Sequence, residues 1–473
     1  MSVDASTEPL IVGAMVRTLG AYPSGWRHPG AHTDPQHDAA VLRRIAGLAE
    51  DADLDYLFFG DWLATGPDLE FRDPYLLARI DPVSAVLYLA GLTERIGLIA
   101  TVNTTYADPY AIARATASLD VLTGGRAGVN LVTGAEPRAA GNHGRDAHAD
   151  NETRYDRAEE FVAVLRRLWE SWDERAWIAD PAAGVLIDPD RLRPADFAGT
   201  QLRVAGPLNV ARPPQSHIPL VHAGTSPRSR ALAAGEADLA LIAAPDVRAA
   251  VEVRAQLRSI ATEAGRNPDD LKVIAPVLPV VAETDAAARA IVDRLLSLVP
   301  IDDGSGHADR AAFPAGRSLV EFLAVAGLPV DHPAHRAAVD EAVPAEASTR
   351  FGDAAARTLR LVEERTGRRV GGAAPVTWRH LIAAHAVPAA FVVGDGRTIA
   401  AHFESWRDHG AVDGFNVLSA FQPGQFEAFT TLAVPELRRR GLVGRSGRTL
   451  RERLGVGAPR LVRVGDEGVL TTR

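Results

Sequence analysis

Short apolar runs rich in β-branched residues alternate along this chain with longer stretches in which apolar positions recur every three or four residues. The runs at 10–16, 54–59, 96–102, 127–132, 219–222, 239–243, 273–281 and 414–418 predict strands. The periodic stretches at 37–52, 82–93, 109–122, 152–172, 226–234, 247–264, 285–299, 354–364 and 397–408 predict helices. So does 425–440, with Pro435 as a candidate break. Eight strands, each followed by a helix, predict an α/β chain folded as a (β/α)₈ TIM barrel, one domain spanning 1–473. A doubly wound open sheet is the competing architecture. Its first strand would run into a Gly-rich dinucleotide turn, whereas here it runs into RTLGAYPSGWRHPGAH.

Two stretches interrupt the alternation. Residues from about 180 to 216 are rich in Pro, Asp and Gly, and 300–349 contains DDGSGH, FPAG and PVDHPAH. Excursions of that length from a barrel are lids, binding loops or disordered segments.

Composition removes several chemistries. The 473 residues include no cysteine, which excludes disulfides, thiolate nucleophiles and cysteine-ligated metals. Lys272 is the only lysine, so Schiff-base and P-loop chemistry are not expected. The net charge of -9, with no basic stripe carrying aromatics, argues against nucleic acid as a partner. The opening MSVDASTEPL is no secretory leader, and no apolar run approaches the ~18 residues of a membrane span, so a cytoplasmic protein with no membrane partner is expected. HPAH at 332–335 and HLIAAH at 380–385 lack the carboxylate partner of a zinc motif, and no metal is expected.

In a barrel the chemistry sits where strands end. Here those ends read FFGDWLATG with Asp61, TVNTTYADPY with Asn103, Thr104 and Thr105, GVNLVTG with Asn130 and Thr133, and AGTSPRS with Thr225 and Ser226. Each small polar residue taken alone is explained by helix capping. Four consecutive strand ends lined this way point instead to a large, planar, polar ligand. Gly224 permits a tight turn, Thr225 and Ser226 open the next helix, and Pro227 occupies its first turn. That arrangement suits an anion such as phosphate, with Arg228 and Arg230 adding positive charge nearby, although a plain serine cap is the simpler account of Ser226 by itself. The one candidate protein acid or base is His28 in WRHPGAH, against the plainer reading of a surface loop histidine.

Several segments carry a family resemblance. GWRHPGA, GRAGVNLVTG, GNHG, RYDRAEEF, VAGPLNVARPPQSHIPLVHAGTSPRSRALAAGEAD, GAVDGFNVL and RRRGLVGRSGRTLRERLG resemble the bacterial-luciferase-like flavin-dependent monooxygenases. They are similar to the branch containing nitrilotriacetate monooxygenase, pristinamycin IIA synthase and dibenzothiophene-sulfone monooxygenase. The likeness runs over nearly the whole chain and is loosest over 280–370.

The resemblance implies a two-component enzyme. A separate NAD(P)H-dependent flavin reductase would supply FMN as FMNH₂, and O₂ would add to give a C4a-peroxyflavin that oxygenates a small organic substrate. It places flavin contacts at Asp61, Asn103, Thr104, Asn130, Asn151, Tyr155, Thr225 and Ser226, with Tyr155 and Ser226 on the phosphate. It also implies a homo-oligomer, and Trp26, Arg27, Trp62 and Tyr106 are candidates to line the substrate side. Four places depart from the family pattern: Asn151 replaces a histidine, Val129 a tryptophan, Gly134 the serine of a VTS triplet, and Asn142-His143-Gly144 an NFG. Two alternatives keep the barrel, namely hydride transfer with the deazaflavin F420 and a flavin-binding barrel without catalysis.

Overall fold

Eight parallel strands close into a barrel in the computed structural model, which describes residues 8–65, 79–304 and 316–457. In chain order the strands are β1 (Ile11–Val16), β2 (Tyr56–Phe59), β3 (Gly97–Asn103), β4 (Ala127–Val132), β5 (Trp177–Asp180), β6 (Val185–Ile187), β7 (Phe197–Ala198), β8 (Arg203–Val204), β9 (Leu220–Ala223), β10 (Leu239–Leu241), β11 (Lys272–Val281), β12 (Phe391–Gly394) and β13 (Gly414–Leu418). The barrel runs β1-β2-β3-β4-β9-β10-β11-β13, and β13 pairs back onto β1 with Ile11 opposite Gly414. These are the eight predicted strands, and their fold class is the (β/α)₈ barrel.

Alternation along each strand sorts side chains into two cores. Val12, Ala14, Leu57, Leu98, Ala100, Val129 and Leu131 face outward into the layer between strands and helices. Ile11, Tyr56, Phe58, Ile99, Val221, Leu239 and Ile274 face inward. Gly13 is glycine because of that inner packing: a Cβ there would lie 2.0 Å from the Tyr56 ring. Local signals start the helices. Asp108, Asp150, Ser226 and Asp246 each accept the backbone N–H three residues on, and Gly124 ends the helix Pro109–Thr123 with a left-handed φ of 66°.

The N-terminal end of the barrel is plugged. The short helix Leu450–Leu454, held by a capping box of Thr449 and Glu452, presents Leu450 and Leu454 to the interior. Leu450 sits where side chains on Gly97 and Gly128 would otherwise be, 2.4 and 3.0 Å from their ideal Cβ positions. Arg453 reaches Asp53 at 2.6 Å and Asp55 at 3.3 Å, while Asp55 accepts the Val12 N–H at 2.7 Å.

The excursions have more structure than their sequence suggests. The first carries two small antiparallel pairs, β5–β6 and β7–β8. The second holds helices Leu319–Val325 and Ala345–Ser348, and beyond it the helices Asp353–Thr366 and Trp378–Ala386 lead to β12. Together they bury Phe322, Trp378 and Leu381. Residues 305–315 of that excursion lie outside the described residues. β11 connects the two parts. Its first half pairs with β10 and β13, and its second half, Leu278–Val281, leaves the barrel to pair with β12. The stretch 425–440 is helical from Gly424 to Arg439 and passes Pro435 through a π-helical turn, Phe429–Ala433. No helix among the described residues is long and apolar enough to cross a membrane.

Candidate active site

The turn after β9 is built by three contacts. Ser226 caps the helix Pro227–Glu236, its Oγ accepting the Ser229 N–H at 3.2 Å, with Pro227 in the first position. Gly224 packs against Ser229 and faces Tyr155: a Cβ on Gly224 would lie 2.0 Å from Ser229 Oγ and 3.7 Å from the Tyr155 hydroxyl oxygen. Tyr155, from the helix Asn151–Trp169, is buried and stands edge-on to His222 at 6.1 Å. The Tyr155 hydroxyl therefore faces Gly224, two residues before the Ser226 cap. Thr225 is exposed beside them.

His222 is a member of this corner that its sequence did not flag, because it lies inside an apolar run. It is buried, with Nδ1 2.7 Å from Leu131 O and Nε2 3.0 Å from Ser229 Oγ. Burial pushes its pKa down and keeps the ring neutral. The neutral ring then donates from Nδ1 to the carbonyl and accepts at Nε2 from the Ser229 hydroxyl, fixing the first turn of the helix.

The positive charge expected from Arg228 and Arg230 is engaged by other side chains, although the Arg228 guanidinium stays 5.8 Å from the Tyr155 ring centre. Arg228 turns back to the neighbouring helix, where it pairs with Glu152 and lies 2.9 Å from both Asp156 and Glu159. Arg230 donates to Gln256. The donors left at the turn are neutral: the hydroxyls of Tyr155 and Thr225 and the backbone N–H groups of the helix end, with its dipole behind them.

The other candidates line the barrel mouth on the β2–β4 side. Asp61, just beyond β2, accepts the Trp62 N–H at 2.8 Å, and burial raises its pKa above the usual carboxylate value. Asn103 ends β3, and its Oδ1 accepts the Thr105 N–H at 3.1 Å. Thr104 is buried and donates to Val132 O at 3.3 Å. Arg157 clamps the same loop from outside, donating to Thr104 O at 2.8 Å and Ala107 O at 3.0 Å. Asn130 is buried, with Nδ2 donating to Thr101 Oγ1 at 3.0 Å and Oδ1 without a partner among the described residues. Asn151 opens the helix beside Tyr155, where its Oδ1 accepts from Arg154 at 3.2 Å.

His28 stands apart from this set. It stacks on Phe421 with ring centres 4.1 Å apart, and its Nδ1 is 3.0 Å from Pro29 O. Burial lowers its pKa. On its side of the barrel a cavity of about 480 Å³ is lined by Tyr22, Pro23, Pro276, Leu278, Arg317 and Leu418. Another cavity, of about 380 Å³, lies among Glu8, Leu10, Lys272 and Asp413. Those residues begin or precede strands, so it belongs to the face opposite the strand ends that carry barrel chemistry.

An elongated ligand with an anionic end fits this arrangement. Its anion would meet neutral donors at Tyr155 and Ser226, and its polar body would meet Asn130 Oδ1, Asn103 and Asp61. Comparison with known proteins identifies the family. A family model described as luciferase-like monooxygenase matches residues 21–413. N-acetyl-S-(2-succino)cysteine monooxygenase of Bacillus subtilis (strain 168) is 32% identical, covering 95% of this chain and 97% of its own. Nitrilotriacetate monooxygenase component A of Aminobacter aminovorans is 33% identical, again covering 95% of this chain and 97% of its own. The crystal structure of riboflavin lyase (RcaE) with modified FMN and riboflavin superposes with a TM-score of 0.73 at 27% identity, over 95% of this chain and 97% of that one.

Proposed function

The chain belongs to the luciferase-like monooxygenase family and is a flavin-dependent monooxygenase, and from that premise we propose that it is the oxygenase component of a two-component system using FMN in its reduced form. A separate NAD(P)H-dependent reductase would supply the FMNH₂, a reading supported by the relative named as a component A. The substrate would be a small organic molecule, taken up on the side of the 480 Å³ cavity.

The observation that supports this reading is that the Tyr155 hydroxyl faces Gly224 at the turn whose helix Ser226 caps. FMN ends in a phosphate, and neutral N–H and O–H donors at a helix N-terminus hold phosphate. When bound, reduced flavin supplies the electrons that activate O₂, so one oxygen atom enters the substrate and the other leaves as water.

The protein's part is position and exclusion of water. Ser226 and Tyr155 anchor the anionic end. Asn130 Oδ1 offers an acceptor inside the mouth, and Asp61 adds a second acceptor whose pKa burial raises. The second excursion, whose described residues pack with Tyr22 and Phe421 from the loops after β1 and β13, is the candidate to keep bulk water from the reaction; the first lies at the plugged end, where Gln215 accepts the Arg451 N–H at 2.8 Å.

Anaerobic titration with FMN, FMNH₂ and F420, followed by rapid mixing of the reduced complex with O₂, tests the proposal. Tighter binding of FMNH₂ than of FMN and a transient absorbance change on mixing are expected. Binding of F420 alone would replace the reading with hydride transfer. Ser226→Ala and Tyr155→Phe should each weaken FMN binding by roughly tenfold, the effect of removing one hydrogen bond to a charged group.

A further inference from the structure

Tyr106, His148 and Arg154 form a hydrogen-bonded chain at the rim of the barrel mouth. Tyr106 follows Asn103, Thr104 and Thr105 on the loop after β3, and its hydroxyl oxygen lies 2.8 Å from His148 Nδ1. His148 Nε2 lies 2.7 Å from Arg154 Nη1. The same guanidinium donates to Gly134 O and, at 3.2 Å, to Asn151 Oδ1.

The direction of these bonds follows from one fact: arginine has donors and no acceptor. His148 must therefore accept at Nε2. An imidazole that accepts at one nitrogen carries its proton on the other, so Nδ1–H donates to the Tyr106 oxygen. Burial and the Arg154 charge lower the His148 pKa, outweighing the Gly134 carbonyl and the Glu136 charge, which raise it. A hydroxyl whose oxygen accepts this bond must point its own proton elsewhere. Among the described residues none accepts it.

The ring is held so that the hydroxyl cannot swing. His143 stacks on Tyr106 with centres 4.4 Å apart, and the Arg145 guanidinium lies 5.1 Å from the ring centre while donating to Thr105 O at 2.9 Å. The surroundings belong to the flavin candidates already described. Arg154 precedes Tyr155, Asn151 is its partner, and Gly134 touches both Arg154 and Asn103.

We propose that Tyr106 is a cofactor-orienting residue whose O–H is aimed by Arg154 and His148 at an acceptor oxygen of the bound flavin, with His148 as the positioning residue. The proposal rests on the flavin reading above. It adds a donor on the loop after β3, two strands along the rim from the turn after β9 that carries Ser226.

The test is FMN binding to the full chain, read by quenching of flavin fluorescence, in a double-mutant cycle. Tyr106→Phe keeps the stacked ring and removes the donor, and should weaken binding roughly tenfold. His148→Asn places an amide N–H where Nδ1–H stood, and should stay within about twofold of wild type. His148→Asp places a carboxylate there, which can only accept. It turns the Tyr106 proton toward itself and should cost about as much as Tyr106→Phe. In the Tyr106→Phe background, His148→Asp should then cost nothing further, which a purely structural role or a general charge effect would not produce. An unchanged affinity for Tyr106→Phe, equal losses for the two His148 variants, or losses that add in the double variant would each overturn the proposal. Ser226→Ala run alongside separates the two readings. If it weakens binding and Tyr106→Phe does not, the flavin reading stands and the aimed hydroxyl falls; if the wild-type chain binds no FMN, both fall.

Discussion

Gly224 and Ser229 are packed so tightly that a methyl group on Gly224 would lie 2.0 Å from Ser229 Oγ. Ser229 cannot simply rotate away, because its hydroxyl is committed to His222 and its N–H to Ser226. Gly224→Ala should therefore shift the first turn of the helix Pro227–Glu236 and open the space between Ser226 and Tyr155. We expect FMN affinity to fall by at least about tenfold, with a stability loss of about 1–3 kcal/mol, the usual range for overpacking. FMN titration and urea denaturation of the same variant would measure both, and an unchanged affinity would remove this turn from the flavin site.

Gly134 poses the same question on the loop after the neighbouring strand β4. Its φ is 66°, and a Cβ would lie 2.3 Å from Asn103 Nδ2. Gly134→Ser, which restores the serine of the resembled pattern, should strain the backbone and displace Asn103, at a cost of roughly 1–2 kcal/mol. A variant as stable as wild type, with unchanged FMN affinity, would mean that the loop after β4 relaxes freely.

Arg228 balances Glu152, Asp156 and Glu159 close to the anion corner. Removing its charge leaves three carboxylates facing a bound phosphate. Arg228→Gln should weaken FMN binding several-fold at low ionic strength and recover in ~1 M salt, where charges are screened within ~3 Å. A loss that persists at high salt would mean that the guanidinium touches the phosphate directly.

His402 gives the stability curve a defined limb. It packs among Phe403, Trp406 and Phe415, and burial pushes its pKa down to about 4. The unfolded chain takes up this proton near ~6.5, the folded chain only near 4, so stability falls as pH drops through that window and is fully present above it. His402→Gln should flatten this part of a Tm-against-pH profile; equal slopes for the two proteins between pH 4 and 6.5 would show that His402 is protonated alike in both states.

The barrel was legible because parallel strands buried on both faces read as apolar runs, and all eight appear within a few residues of their predicted places. What escaped lacked that signal. β12 is only Phe391–Gly394, and β5 and β6 are exposed, with Trp177 and Leu186 each 56% accessible, so no burial pattern marks them. The helix Trp378–Ala386 lies in a segment whose core partners, such as Phe322, are far away in sequence.

The candidate site was legible only in part. Small polar residues at strand ends can be read one by one, but their pairings cannot. Nothing in the sequence says that Arg228 faces three acids rather than the turn, or that His148 lies between Tyr106 and Arg154. Those are facts about which loops share a rim, and only the closed barrel brings them together.

The plug at Leu450–Leu454 also constrains how the protein is made. β13 ends at Leu418, so a ribosome has delivered all eight barrel strands before the residues that stopper their lower end emerge. Until then Gly97 and Gly128 line an open well, and the carboxylate of Asp55 waits for Arg453. The lower end of this barrel is thus completed only by residues synthesised after its last strand.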